Sequence, residues 1–172
     1  MGKLIVRILS LLLIAAFLPT AVLAAEWNLE NGSIEITATA NSKGSTTQTV
    51  SQGGKSAEDS NPTITSNGNQ TGNTITIKSG KDTTANVTIK DANINTGGTA
   101  IKTEGQGDVN LNIEGTNSAS SGMFCAGVEK HNDGELTIGS ESGEGKLTAN
   151  GGDQGAGIGG KNGQYGESNG NN

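Results

Sequence analysis

The sequence predicts an all-β fold, a right-handed parallel β-helix with coils of about 24–30 residues. Three observations predict it. The first is a coarse repeat in the second half of the 172-residue chain. Segments beginning at Val87, Leu111 and Leu136 read alike, and Ile89, Ile113 and Ile138 follow two places on. Ile101, Val128 and Ile158 form a second, out-of-phase series. A period of this length marks a solenoid, in which no single coil can bury its apolar face alone. The second observation is period-2 alternation of the few Ile, Leu and Val residues, which identifies strands. The third is composition. Only 31% of residues are hydrophobic and 2% aromatic, while Gly numbers 28, Thr 20 and Asn 19. A conventional globular core needs more large apolar side chains, whereas thin coils need few. Disorder is the competing reading of such a composition. The ordered alternation and a charged fraction of only 16% weigh against it.

The elements follow in order. Residues 1–24 carry Lys3 and Arg7, an apolar run from Leu9 to Leu18, Pro19, and the small-residue end Val22-Leu23-Ala24. That is a secretory signal peptide, with cleavage expected after Ala24. The run is too short for a membrane span. Residues 25–61 form an entry and cap segment, with Trp27 as a cap residue rather than a sugar platform. Within it, Ser33 to Thr39 is an alternating strand, Thr47 to Ser51 a weaker one, and 52–61 an exposed loop. Residues 62–160 are the coils, opening with strands at Pro62, Asn73 and Ala85. Residues 161–172 read as a Gly/Asn-rich flexible tail. The lack of a capping element after GAGIGG suggests a chain truncated at its C-terminus.

In stacked parallel coils, equivalent positions lie about 4.8 Å apart. Ile89, Ile113 and Ile138 should then form one inward ladder, and Ile101, Val128 and Ile158 another. Asn93 and Asn117 should form a polar ladder at a turn.

Charge and chemistry-bearing residues narrow the function. Cleavage after Ala24 leaves nine Lys, no Arg and seventeen acidic residues, a formal net charge of −8. Such a chain is a poor partner for nucleic acid, and it has no membrane insertion once the signal is removed. It is expected to be a monomer. Cys125 has no partner for a disulfide, and its apolar neighbours suggest a buried small hydrophobe. His131 is the single histidine and Glu58-Asp59 the single adjacent acidic pair. Hydrolysis of glycosides needs a close carboxylate pair, so catalysis is not expected. Glu129, His131, Asp133 and Glu135 form the densest polar cluster. Glu129, Asp133 and Glu135 are the candidate ligands for a metal, calcium being the hard cation that carboxylates and carbonyls hold. A solvated acidic turn is the competing account. GAGIGG and GGDQGAG lack the Lys-Ser/Thr of a phosphate loop.

The segments VTIKDANINTGGTAIKTEG, GDVNLNIEGTNS, AGVEKHNDGELTI and KLTANGGDQGAGIGG together resemble secreted bacterial, Firmicutes-type, carbohydrate-binding β-helix proteins. Their fold is similar to that of pectate lyases. The resemblance spans residues 33–165, most strongly 87–160. It implies an extracellular or cell-surface module that binds plant or cell-wall polysaccharide, with calcium as the one candidate cofactor. The expected function is a secreted, non-catalytic polysaccharide-binding module. A structural or adhesive cell-surface solenoid is the alternative, and a polysaccharide lyase ranks third. No individual carbohydrate-binding residue is assigned by the sequence.

Overall fold

The computed structural model describes residues 25–42 and 44–160. Residues 1–24, read from the sequence as a signal peptide, and residues 161–172, read as a tail and including Tyr165, lie outside the described residues. The fold is all-β, a parallel β-solenoid of about four turns. The chain enters through β1 (Glu26–Asn28), a 3-10 turn at Leu29–Asn31 and β2 (Ile34–Ala40). A hairpin follows, β3 (Thr46–Gln52) and β4 (Lys55–Glu58), antiparallel to each other. Four coils of three strands come next. They are β5 (Thr63–Thr65), β6 (Gln70–Thr71) and β7 (Ile75–Ser79); then β8 (Thr84–Lys90), β9 (Asn93–Asn95) and β10 (Ile101–Gly105). The third coil is β11 (Asp108–Glu114), β12 (Thr116–Ser120) and β13 (Val128–Asn132). The fourth is β14 (Leu136–Gly139), β15 (Lys146–Asn150) and β16 (Ile158–Gly159).

Three sheets result, one for each strand of a coil. The first face runs β1-β5-β8-β11-β14, the second β6-β9-β12-β15, and the third β4-β3-β2-β7-β10-β13-β16. The entry segment therefore supplies rungs of its own: Trp27 pairs with Ile64 and Ile34 with Ile75. The stretch 52–61, read from sequence as a loop, is half strand. Its Gly53-Gly54 turn, with both φ positive, lets β4 fold back on β3.

Through the first three coils alternation sets inside and outside as the sequence predicts, whereas in the fourth Ile138 is only partly buried and Ile158 is exposed. Ile64, Ile75, Ile77, Val87, Ile89, Ile94, Ile101, Leu111 and Val128 all point inward with at most 1% exposure. Fully burying each aliphatic side chain contributes about 1.5–3 kcal/mol. Ile75, Ile101, Val128 and Ile158 stack in register as one ladder. Val87 and Ile89 stack on Leu111 and Ile113. The last coil corrects the expected register. Leu136 pairs with Val109 and Ile138 with Leu111, two residues from the sequence alignment. The cause lies in the preceding turn. Asp108 Oδ1 accepts the Glu135 N–H at 2.8 Å, and Val109 N–H donates to Glu135 O at 2.8 Å. Asn132, buried at that turn, donates to Gly107 O, Gly134 O and Glu135 O and accepts from Thr103 Oγ1. Those bonds fix where β14 begins.

The expected Asn93–Asn117 ladder is absent, because Asn93 pairs with Ser118. Asn117 instead turns inward, 1% exposed. Its Oδ1 accepts Ala92 N–H at 2.9 Å, and its Nδ2 donates to Glu114 O at 2.8 Å and Lys146 O at 3.3 Å. One side chain thus satisfies three successive coils at a corner where strand bonds stop.

The GAGIGG block repeats a corner already made by SGMFCAG. Cys125 N–H donates to Gly122 O, and Gly155 N–H to Gly152 O. Phe124 and Gln154 take left-handed φ values of +64° and +61° at matching positions. The two corners stack, with Phe124 N–H donating to Asp153 O. Gly127 is there for close approach. A Cβ on it would stand 2.7 Å from both Ala119 O and Asn150 N. Cys125 is half-buried at this corner rather than enclosed in the core. The core thins in the fourth coil, where Leu136, Ile138, Leu147 and Ala149 are partly buried and Ile158 is 52% exposed.

Candidate functional site

The outward residues of β8, β11 and β14 form the floor of a shallow groove of about 740 Å³ on the first sheet face. Its polar lining is Asn86, Asn110, Asn112, Thr137, Ser140 and Glu141, with Ser60 and Asn61 at one margin. Each floor position is a strand residue whose inward neighbours are core aliphatics, so alternation alone turns these amides to solvent. Coil stacking then sets them one above another. Asn110 Nδ2 donates to Asn86 Oδ1 at 3.0 Å, and Asn112 Nδ2 to Thr88 Oγ1 at 3.3 Å. Asn112 Oδ1 accepts the Glu141 N–H at 2.9 Å, tying the groove's far rim to its floor.

The near rim is held by a side chain acting as a strand. β5 is only three residues long, so it leaves the first residues of β8 without a neighbour on that side. Gln48, 4% exposed, fills the gap. Its Oε1 accepts Asn86 N–H at 2.9 Å, and its Nε2 donates to Asn86 O at 2.9 Å and Asp59 O at 3.0 Å. The backbone at Asn86 is thereby fixed on both edges.

The residues proposed from sequence for calcium go elsewhere. Glu129 lies on β13, in the third sheet, and is 2% exposed. It accepts from Thr99 Oγ1 at 3.0 Å, and His131 Nε2 stands 3.2 Å from its other oxygen. Asp133 and Glu135 lie exposed on the turn before β14. Among the described residues, no three His, Cys, Asp or Glu side chains gather as a metal site. His131 stands on the third face, where Glu104 sits between Lys78 and His131 in register. Lys102 lies 2.6 Å from Glu104, and Lys78 lies 2.7 Å from Glu35. The Lys102 hydrogen bond holds the Glu104 carboxyl below its ordinary range, and the Glu35 hydrogen bond raises Lys78. These pairs are exposed and screened, so each is worth under about 1 kcal/mol.

The groove residues were missed because the segments were aligned for their apolar positions. The signal was present at the polar alternates, ANVTI, DVNLNI and ELTI, once the last is shifted by two. What the groove offers is a set of neutral donors and acceptors at regular spacing, with one carboxylate and no cation. No protein-family model, curated protein or solved structure matches this chain.

Proposed function

We propose that this protein is a secreted, non-catalytic module that binds polysaccharide along the groove of the first sheet face. The observation that carries the reading is the lining itself: amides and hydroxyls in rows, joined by a single carboxylate, Glu141. Asn side chains each present two donors and an acceptor. Repeated along the solenoid at the strand spacing, they suit a linear ligand whose repeating units carry neutral hydroxyls. A groove without lysine favours a neutral glycan over an acidic one. The resemblance to secreted bacterial carbohydrate-binding β-helix proteins and the signal peptide point the same way, to an extracellular or surface-retained module. Calcium assistance would have to act away from the groove floor, since Glu129 stands on another face. A lone groove carboxylate also lacks the partner that glycoside hydrolysis needs.

The test is retention of the exported protein on neutral and acidic plant polysaccharides, with calcium and with a chelator, beside the Asn110→Ala variant. Retention on a neutral glycan, weakened several-fold by the substitution, is the expected result; each neutral hydrogen bond is worth about 0.5–1.5 kcal/mol. Folded protein that binds none of them would favour the structural or adhesive solenoid.

A further inference from the structure

We propose that cleavage after Ala24 creates the missing cation of a part-buried ion pair: the new α-ammonium of Ala25 docks on the Asp59 carboxylate and completes the N-terminal cap.

Two independent observations meet at this point. The first concerns Asp59. It is 3% exposed, although an aspartate is rarely buried without a partner. Its oxygens accept three N–H groups: Ala25 N at 3.0 Å and Trp27 Nε1 at 3.1 Å on Oδ2, and Asn61 N at 3.2 Å on Oδ1. None of these donors is charged in the uncleaved chain. Among the described residues, the Lys–carboxylate pairs are Lys78–Glu35, Lys90–Glu114 and Lys102–Glu104, and His131 contacts Glu129. Asp59 is in none of them. Hydrogen bonds alone offset part of the cost of holding a carboxylate away from water, and a cation offsets more.

The second observation is the processing signal. The small-residue end at Val22-Leu23-Ala24 puts the cut directly before Ala25. The nitrogen that cleavage would convert from amide to ammonium is the one already in contact with Asp59 Oδ2. Hydrolysis adds water across the Ala24–Ala25 bond, giving a carboxylate on the departing peptide and an amine on Ala25. That amine takes up a proton below its ordinary pKa of about 7.7–8.0. One of its N–H groups keeps the bond to Oδ2, now between opposite charges and about twice as strong. The others reach solvent, since Ala25 itself is exposed.

The scaffold is built to hold the site. Thr63 N–H donates to Ala25 O at 3.2 Å, and β1 runs in register on β5. Asp59 N–H donates to Gln48 O at 3.0 Å, so the carboxylate is placed by the residue that braces Asn86. Cleavage would therefore stabilise the first rung of the sheet that carries the groove, and the exported form would be the better-folded one.

The experiment starts from the full 172-residue chain passed through a bacterial secretion host. Mass spectrometry of the exported protein should give an N-terminus at Ala25; any other N-terminus overturns the proposal. A second precursor carries one Gly inserted between Ala24 and Ala25, which moves the amine one residue, about 3.8 Å, away. Both are made with Asp59 and with Asp59→Asn, and urea midpoints are compared. The Gly insertion should lower the midpoint in the Asp59 background and leave the Asp59→Asn background nearly unchanged. Equal shifts in both, or none in either, overturn the pairing. Should Asp59→Asn fail to fold, the α-amine reactivity of the two Asp59 proteins decides. Acylation of the Ala25 amine in the folded state should be at least tenfold slower than that of the inserted Gly amine. Equal rates overturn the pairing.

Discussion

Replacing Asn117 by Ala removes the side chain that joins three coils at one corner. The Ala92 N–H is buried and loses its acceptor, which costs about 1–3 kcal/mol. Glu114 O and Lys146 O are part-buried and regain water, so each forfeits a net bond of about 0.5–1.5 kcal/mol. Because all three bonds share one side chain, the combined loss should be about 2–4 kcal/mol. That is a large part of the roughly 5–15 kcal/mol that holds a domain folded. Urea unfolding followed by circular dichroism measures it; with a slope of roughly 1–3 kcal/mol/M the midpoint should fall by about 1–4 M. Asn93→Ala is the control, since Asn93 makes one exposed side-chain bond, to Gly68 O at 3.2 Å. It should change stability by no more than about 0.5 kcal/mol. Equal losses in the two variants, or less than about 0.5 kcal/mol for Asn117→Ala, would refute the internal role of Asn117.

Three further outcomes are expected. Gly127→Ala drives a methyl into backbone atoms at 2.7 Å and should cost about 1–3 kcal/mol or more, whereas Gly139→Ala meets nothing within 4 Å and should be neutral; thermal unfolding separates them. Gln48→Ala frees the Asn86 amide, so its hydrogen exchange should accelerate relative to that of Val87, with weaker glycan retention. For Glu104, held below its ordinary value of 4.5, the stabilising contribution is present above that value. It is lost as pH falls through the lowered one, so wild type and Glu104→Gln should differ at pH 6 and converge as pH drops below that lowered value. The difference should stay under about 1 kcal/mol and shrink in high salt. Lys78, raised by Glu35, behaves oppositely: its contribution holds below the ordinary value of 10.5 and is lost as pH climbs through the raised one.

The amino-acid sequence by itself determined which side chains face inward. Side-chain direction in a strand depends only on parity, so the alternation alone places Val87, Ile89, Leu111 and Ile113 inside. It also determined the kind of fold, because a repeat too thin to fold alone must stack. Register was not legible. A slip of two residues keeps every side chain on its face, so Leu136 against Val109 and Leu136 against Leu111 look alike in sequence. Asp108 and Asn132 break that tie through backbone bonds at a turn, and only the folded chain brings them there. The burial of Asn117, Asp59 and Gln48 was hidden for the same reason. Each sits in a stretch that reads as polar loop, turn or weak strand, and each is drawn inside by backbone groups from distant parts of the chain that strand pairing leaves unsatisfied. The groove is likewise tertiary. Its Asn rows become adjacent only once stacking has fixed which polar alternate of one coil lies above that of the next.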